Sequence, residues 1–595
     1  MYAALVSYAF PGKEGFEYFY AFEGKKAAGG SPLPFIEPFD AEAEFERQDV
    51  FAVRKKPSQY GGFKAFSSPY RMSTCNDNYT ICHSYPRKIV VPKSVSDDDI
   101  VRVASFRSEG RFPAMTWGNG QDAGSIWRCS QPKVGLQANQ NAYDEKMLRV
   151  IGDAVRHQEN TSIGSGGRIF PPDYLYSMSG DHHLKEIINH CGASLRIFDL
   201  RPKSSAVANR ATGYGYELTG GKSPAYRNCS LSFYNINNIH AIRDSLNKLM
   251  TVCLSPTVND MNFSSAVEDS RWLHHVKSIL SASWQLAFVV SHKKIPTLVH
   301  CSHGWDRTSQ VCAISQLFLD PFYRTFDGFH VLVEKDWLSF GHPFQLRCAH
   351  GMSRADRSDE QMSPIFLQFL DCVWQLVNAF PTAFEFSPRY LIILARHIYS
   401  NRFGTFLFNN DQERVASQCG ERSLSVWAYL IANKKALNNP FYRPKWLSAI
   451  EYPPLENVDK NLFLPPLPVI LRSVTLWDLY LKDSPKESFP TVPSYLLPFK
   501  FRPTETGETG DMLDVDADIL DLKGCKEDLG EAWMNACEAE VVGASASKKT
   551  PRGGHDAEGE DERSKEADEL RRRVQELEEE LRMLREKKVE ESASS

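Results

Sequence analysis

The sequence predicts an α/β domain over residues 70 to about 440, a central sheet flanked by helices. Three observations predict it. Ile239, Ile242, Leu246 and Leu249 recur at spacings of three, four and three, the period of an amphipathic helix, and Trp272 to Val290 reads as a longer, more apolar one. Short runs at 87–92, 112–117, 195–200 and 296–300 read as strands. The last of these passes directly into a tight polar loop and a new helix, so strand, loop and helix form one unit.

Taken in order, residues 1 to 65 are aromatic and glycine-rich, punctuated by Gly29-Gly30-Ser31-Pro32 and Gly61-Gly62, and look too short for a separate globular domain. Ser96 followed by Asp97, Asp98 and Asp99 is a capped, acidic helix start. Ser363-Pro364 opens a helix at 365–380, and Arg389 to Ser400 is another. Prolines crowd residues 453–502, which predicts an extended wrap over the domain. Residues 504–563 turn to Gly, Asp, Glu, Ser and Lys, the composition of a disordered linker. In the final segment Ala567, Leu570, Val574, Leu577, Leu581 and Leu584 follow the three-four spacing of a coiled coil over 564–590. A lone charged helix is the alternative, because three heptads are near the lower limit for a stable pair.

With 595 residues and 42% hydrophobic content the chain can bury a large core. A net charge of −5 gives no global attraction to nucleic acid or to anionic membrane, so lipid contact must come from local basic clusters. The 13 cysteines are scattered without paired CxxC sites, which suits a reducing compartment and predicts no structural metal and no cofactor. Met1 to Tyr8 has no basic region ahead of its apolar run, so no signal peptide is expected, and no apolar run reaches membrane-spanning length.

The candidate site is the loop from His300 to Thr308. Cys301 and Arg307 are six apart, with Gly304 between them and a hydroxyl residue, Thr308, directly after the arginine. Such a loop can turn successive backbone N–H groups toward one anion at the N-terminus of the following helix. Those amides, the helix and Arg307 all favour thiolate over thiol, so Cys301 could attack phosphorus. Arg307 would grip two phosphate oxygens as a planar fork. Cys348 and Arg354 repeat the spacing, with Gly351 between them, but lack a buried strand before and a hydroxyl after. They are expected to be a coincidence.

The loop Val299–Thr308 resembles the signature of the myotubularin phosphoinositide phosphatases. Segments 70–76, 103–108, 128–132, 199–202, 238–240, 337–342 and 380–386 are similar to that family in the same order. The resemblance implies a cysteine-dependent phosphatase-like sheet. Together with the linker and heptads read above, it divides the chain into residues 1–65, either the remnant of a largely lost PH-GRAM domain or a stretch that begins inside one; 66–503, the phosphatase domain; 504–563, the linker; and 564–590, the coiled coil. It implies removal of the 3-phosphate from phosphatidylinositol 3-phosphate and from the 3,5-bisphosphate, cytoplasmic work on endosomal membranes, and homo- or heterodimers through the coiled coil. It also implies that Asp306, within the loop, protonates the leaving oxygen; Asp199 is the rival, preferred here as a structural residue. Asn228, Asn238, Ile239, Ser302, His303, Gly304, Trp305, Thr308 and Arg347 match positions that contact substrate.

Two rim positions depart from the family. His303 stands where aspartate is usual, adding a cation at the pocket mouth, and Pro343 stands where arginine is frequent. Together they suggest altered, pH-dependent recognition of the bisphosphate, or else tolerated drift. Two alternatives to a lipid phosphatase remain at this stage. One is a non-catalytic dimerising adaptor of the same family, against which the presence of both Cys301 and Arg307 speaks. The other is a protein tyrosine phosphatase, which shares the loop chemistry without the surrounding segments.

Overall fold

The computed structural model describes residues 21–22, 35–57, 63–120, 124–159, 194–220, 225–254, 260–350, 360–443, 465 and 467–477. The expected linker and coiled coil lie outside them. Nine strands occur among the described residues. Two pairs, β1 (Arg54–Pro57) with β2 (Phe63–Phe66) and β3 (Tyr70–Ser73) with β4 (Ile89–Pro92), accompany a five-stranded sheet. That sheet comprises β5 (Ala114–Gly118), β6 (Ser125–Cys129), β7 (Leu195–Asp199), β8 (Cys229–Phe233) and β9 (Thr297–His300). The helices that position the site are α1 (Ala41–Arg47), α2 (Asp97–Phe106), α3 (Ala142–Glu159), α4 (Lys203–Ala208), α5 (Ile239–Leu254), α6 (Trp272–His292), α7 (Arg307–Leu319), α8 (Phe344–Cys348), α9 (Ile365–Ala379) and α10 (Leu467–Ser473).

The strand order is β5-β6-β9-β7-β8, and only β5 runs antiparallel to its neighbour. β9, the last in sequence, therefore sits at the centre. Its register sets His300 beside Cys129 of β6 on one side and Asp199 of β7 on the other. The segments that follow these three strands all emerge at one edge of the sheet, where open parallel sheets bind ligands.

Trp127, Leu298 and Ile197 share one register row. They are buried in a core with Ile100 and Val103 of α2 and Met147, Leu148 and Ile151 of α3. Ser96 caps α2: its hydroxyl accepts from Asp99 N–H while the Asp99 carboxylate accepts from Ser96 N–H. On the other face α7 packs against α6 and α9. Every residue of α7 is buried, so its polar residues are bonded inside the protein instead of marking a solvent face.

Several expectations change. Ser125–Cys129 and Cys229–Phe233, not anticipated as strands, both belong to the central sheet. Phe45, near the end of α1, and Val50 enter the same core as Trp127, so this part of the N-terminal segment packs with the central sheet. Within the proline-rich stretch, 467–473 is the helix α10. It is anchored where Trp284 Nε1 donates to the Pro465 carbonyl at 2.7 Å and Trp477 stacks on Trp374.

Candidate active site

β9 ends in fully buried Leu298 and Val299, so the loop starts from a fixed point, and Cys301, the first residue beyond the strand, is only 2% exposed. The loop's carbonyls are held from outside. His300 Nδ1 lies 3.2 Å from the Cys301 carbonyl oxygen, and Gln131 N–H donates to that of Ser302 at 3.1 Å. The Gly304 carbonyl accepts from Arg111 Nη2 at 3.0 Å and from Arg128 Nη2 at 2.9 Å. The Trp305 carbonyl accepts from His342 Nδ1 at 2.9 Å. A loop whose carbonyls are engaged this way keeps its N–H groups for an anion.

Gly304 makes the turn possible. Its φ is +76°, and a Cβ there would stand 2.1 Å from the Cys129 carbonyl oxygen. Gly304→Ala therefore combines left-handed backbone strain with a clash against a sheet strand. It is expected to cost about 3 kcal/mol or more of stability, read as a lower urea midpoint with unchanged slope.

α7 begins at Arg307, which places its N-terminus against Cys301. Thr308 Oγ1 donates to Cys301 Sγ at 3.3 Å. Burial pushes the thiol's pKa up, but the Arg307 charge and the Thr308 hydroxyl outweigh it, and the net shift is downward. Arg307 is itself oriented by the Ile236 carbonyl at 3.1 Å and Ser302 Oγ at 3.5 Å.

Beneath Cys301 lies a buried ion network. His300 Nε2 meets Glu217 at 3.0 Å, Glu217 meets Arg107 at 2.6 Å, and Arg107 grips Asp144 with two nitrogens at 2.7 and 2.6 Å. Both His300 nitrogens face acceptors, so the ring is an imidazolium. Burial lowers its pKa, but the Glu217 and Asp199 charges raise it further. Burial likewise raises Glu217, while His300 and Arg107 hold it well below the usual carboxylate range. The doubly bonded His300 fixes the strand end from which Cys301 projects.

Asp306 is brought into the loop, but not as a ready proton donor. Arg347 grips it with Nε at 3.0 Å and Nη2 at 2.9 Å, and His342 Nδ1 approaches at 3.2 Å. Burial raises the carboxyl's pKa, yet Arg347 and His342 together drive it far below the usual range, so it is ionised in the free protein. Arg347, expected on substrate, spends its fork on Asp306 and the Gln361 carbonyl. Asp199 is likewise held by two Arg201 nitrogens, at 2.8 and 2.6 Å.

His303 stacks on Trp305 with ring centroids 4.8 Å apart, and its Nδ1 lies 3.1 Å from Ser108 Oγ. Burial lowers its pKa, so the cation expected at the rim is a neutral ring at pH 7. Asn238 caps α5 through Ala241 N–H at 3.2 Å, and the Ile239 carbonyl accepts from Ser363. Both closely follow Ile236, the carbonyl that Arg307 touches.

Asn228 is a correction. It precedes β8 and bonds Ser194 ahead of β7, at the amino edge of a parallel sheet, a full strand length from the loop. The asparagine at the correct edge is Asn209, whose side chain meets Gln131, the residue bonded to Ser302. Its position after β7, on the loop's side of the sheet, was the available signal. Cys348 ends the short helix α8 instead of following a strand, and burial pushes its thiol up to about 12.

The chain matches the myotubularin-like phosphatase domain over residues 19–415. It is 38% identical over 449 residues to a myotubularin of Xenopus laevis, covering 76% of this chain and 64% of that protein. It is 38% identical over 438 residues to a phosphatidylinositol-3,5-bisphosphate 3-phosphatase of Mus musculus, covering 74% and 59% respectively. A myotubularin of Rattus norvegicus is 40% identical over 413 residues, covering 69% and 62%. The chain thus spans less than two thirds of the length of these relatives. With a domain match across the sheet, the cysteine loop and its supporting charges, this chain belongs to the myotubularin-like phosphatase family.

Proposed function

We propose that the protein removes the 3-phosphate from phosphatidylinositol 3-phosphate, with the 3,5-bisphosphate as a second substrate. The observation that carries this is buried Cys301 at the start of α7, with Thr308 Oγ1 donating to its Sγ at 3.3 Å and Arg307 as the first residue of that helix, an arrangement that favours the thiolate. In the first step the substrate binds as the phosphate monoanion and its proton passes to Asp306, which is ionised in the free protein; Sγ attacks phosphorus, the phosphorus–inositol oxygen bond breaks, and the leaving oxygen takes that proton from Asp306. In the second, water attacks the cysteinyl phosphate and returns a proton to Asp306. The phosphorus–sulfur bond breaks and inorganic phosphate leaves. Arg307 and the loop amides stabilise the charge on the transferred group throughout.

The rim favours a lipid over a peptide. The loops after β6 and β7 flank the cysteine loop on either side, and Arg210 Nε ties them by donating to the Gly135 carbonyl at 2.9 Å. They expose Leu136 and Val207, 67% and 47% accessible, beside Lys133, Lys203 and Arg210. Across 131–141 and 201–217 the one carboxylate is Glu217, which is buried. An apolar, cationic rim suits an anionic bilayer brought to this edge by its headgroup. The name of the Mus musculus relative points to the bisphosphate. Endosomal location, and dimers through the heptads at 564–590, belong to the same proposal and rest on the sequence.

The test is phosphate release from short-chain forms of both lipids and from a phosphotyrosine peptide. The lipids are expected to exceed the peptide by at least about 100-fold in kcat/KM; the reverse order would overturn the reading. Because His303 is neutral, the ratio of the two lipids should stay constant between about pH 7 and 8.

A further inference from the structure

Most charges around the loop are paired. Asp306 has Arg347, Asp199 has Arg201, Arg128 has Asp336 at 2.9 Å, and His300 and Arg107 share Glu217 and Asp144. Among the described residues Arg307, the fork for the phosphate itself, meets only the neutral Ile236 carbonyl and Ser302 hydroxyl, and Arg111, deeper in the protein, is in the same position. It is completely buried, yet its four hydrogen bonds go to neutral acceptors: the Ser84 carbonyl at 3.0 Å, Ser84 Oγ at 2.7 Å, the Gly304 carbonyl at 3.0 Å and the Phe340 carbonyl at 2.7 Å. Aromatic faces cover it, Tyr85 at 4.5 Å and Trp305 at 5.6 Å from the guanidinium carbon. An arginine cannot shed its proton, so a cation with no carboxylate partner among the described residues sits beneath a loop built for an anion.

The charged and titratable groups that act most on Arg111 include Tyr85, Cys82, Arg128 and Cys301, and His303 faces it as well, as a neutral ring. Burial raises both the Tyr85 hydroxyl and the Cys82 thiol, which therefore stay protonated, whereas Cys301 is shifted the other way. Arg128 shares the Gly304 carbonyl, but its charge is spent on Asp336. Arg307, Thr308 and Asp306 act on Cys301 from within the loop and α7.

We propose that Arg111 is a positioning residue that takes the Cys301 thiolate as its counter-ion in the free enzyme and the transferred phosphate in the complex, while its bond to Gly304 holds the loop in shape. This rests on Cys301 being the nucleophile, as above, but not on which ester it attacks. A buried cation whose partners among the described residues are all neutral makes the site short of negative charge until the thiol ionises or phosphate arrives.

The experiment follows Cys301 alkylation by iodoacetamide from about pH 5 to 9 in the full chain, with the modified peptide identified by mass. Arg111→Gln keeps hydrogen-bonding capacity without the charge. It is expected to move the alkylation midpoint up by about one pH unit, a roughly tenfold slower reaction near pH 6, and to weaken protection by inorganic phosphate by about tenfold. Arg111→Lys keeps the charge and should restore the midpoint to within about 0.3 unit. Ser84→Asp leaves Arg111 in place but supplies a carboxylate, and should raise the midpoint as Arg111→Gln does, with Ser84→Asn as its uncharged control. This pair decides the matter if Arg111→Gln does not fold. Equal shifts in Arg111→Gln and Arg111→Lys would make the role merely structural and overturn the proposal, as would a wild-type midpoint in Ser84→Asp. None of these readouts uses a lipid, so failure of the substrate reading would leave them interpretable.

Discussion

Cys301→Ser is expected to lower phosphate release from phosphatidylinositol 3-phosphate by about 10⁵-fold while leaving binding of inorganic phosphate within about threefold of wild type. The loop lowers the thiol's pKa through Arg307 and Thr308, but the same environment cannot ionise an alkyl hydroxyl, which starts many units higher. Phosphate binding depends on Arg307, the loop amides and the start of α7, all of which the substitution keeps. Single-turnover release and calorimetric titration with phosphate separate the two. Residual turnover above about one part in a hundred would mean that Cys301 is not the nucleophile. The same shift gives a stability prediction with a definite sign. A thiol with a depressed folded pKa contributes stability above its ordinary value near 9, and loses it as pH falls through the folded value. The wild type should therefore gain on Cys301→Ser in melting temperature as pH rises across that window.

The strand, loop and helix were legible because they are local. A buried apolar strand, a glycine at the turn and a helix start lie within one short stretch, and each declares itself by residue type. What was not legible is the set of charges that shape the loop. Arg128 and Arg111 reach Gly304 from 176 and 193 residues away, and Glu217 reaches His300 from 83. Arginine within 107–128 reads as solvated surface until its partner is known, which also concealed β6: Arg128 breaks an apolar run yet is buried through Asp336. Asn228 shows the converse. The match to family positions made it a substrate contact, whereas the direction of β8 carries it to the far edge, and Asn209, which follows β7, lies at the near one. His303 reads as a cation from its type, and burial makes it neutral.

Asp306→Asn is expected to lower kcat on the inositol lipid by about 10³-fold but to change turnover of an activated aryl phosphate by less than about tenfold. An inositol oxygen needs a proton to leave, whereas an aryl oxygen with a low pKa does not. The difficulty is that free Asp306 has no proton to give, being clamped by Arg347 and His342. Substrate resolves it in two ways. A phosphate dianion beside Asp306 adds negative charge, and it competes for the Arg347 guanidinium; both raise the carboxyl's pKa. Ionised Asp306 with a phosphate monoanion is equivalent in protons to protonated Asp306 with the dianion, so the proton can enter with the substrate. The wild-type kcat/KM should then decline above the ester's second pKa, near 6, and that decline should be absent in Asp306→Asn. Equal losses on the lipid and the aryl ester would instead assign Asp306 to holding Arg347 and His342 in place, with the proton coming from another source.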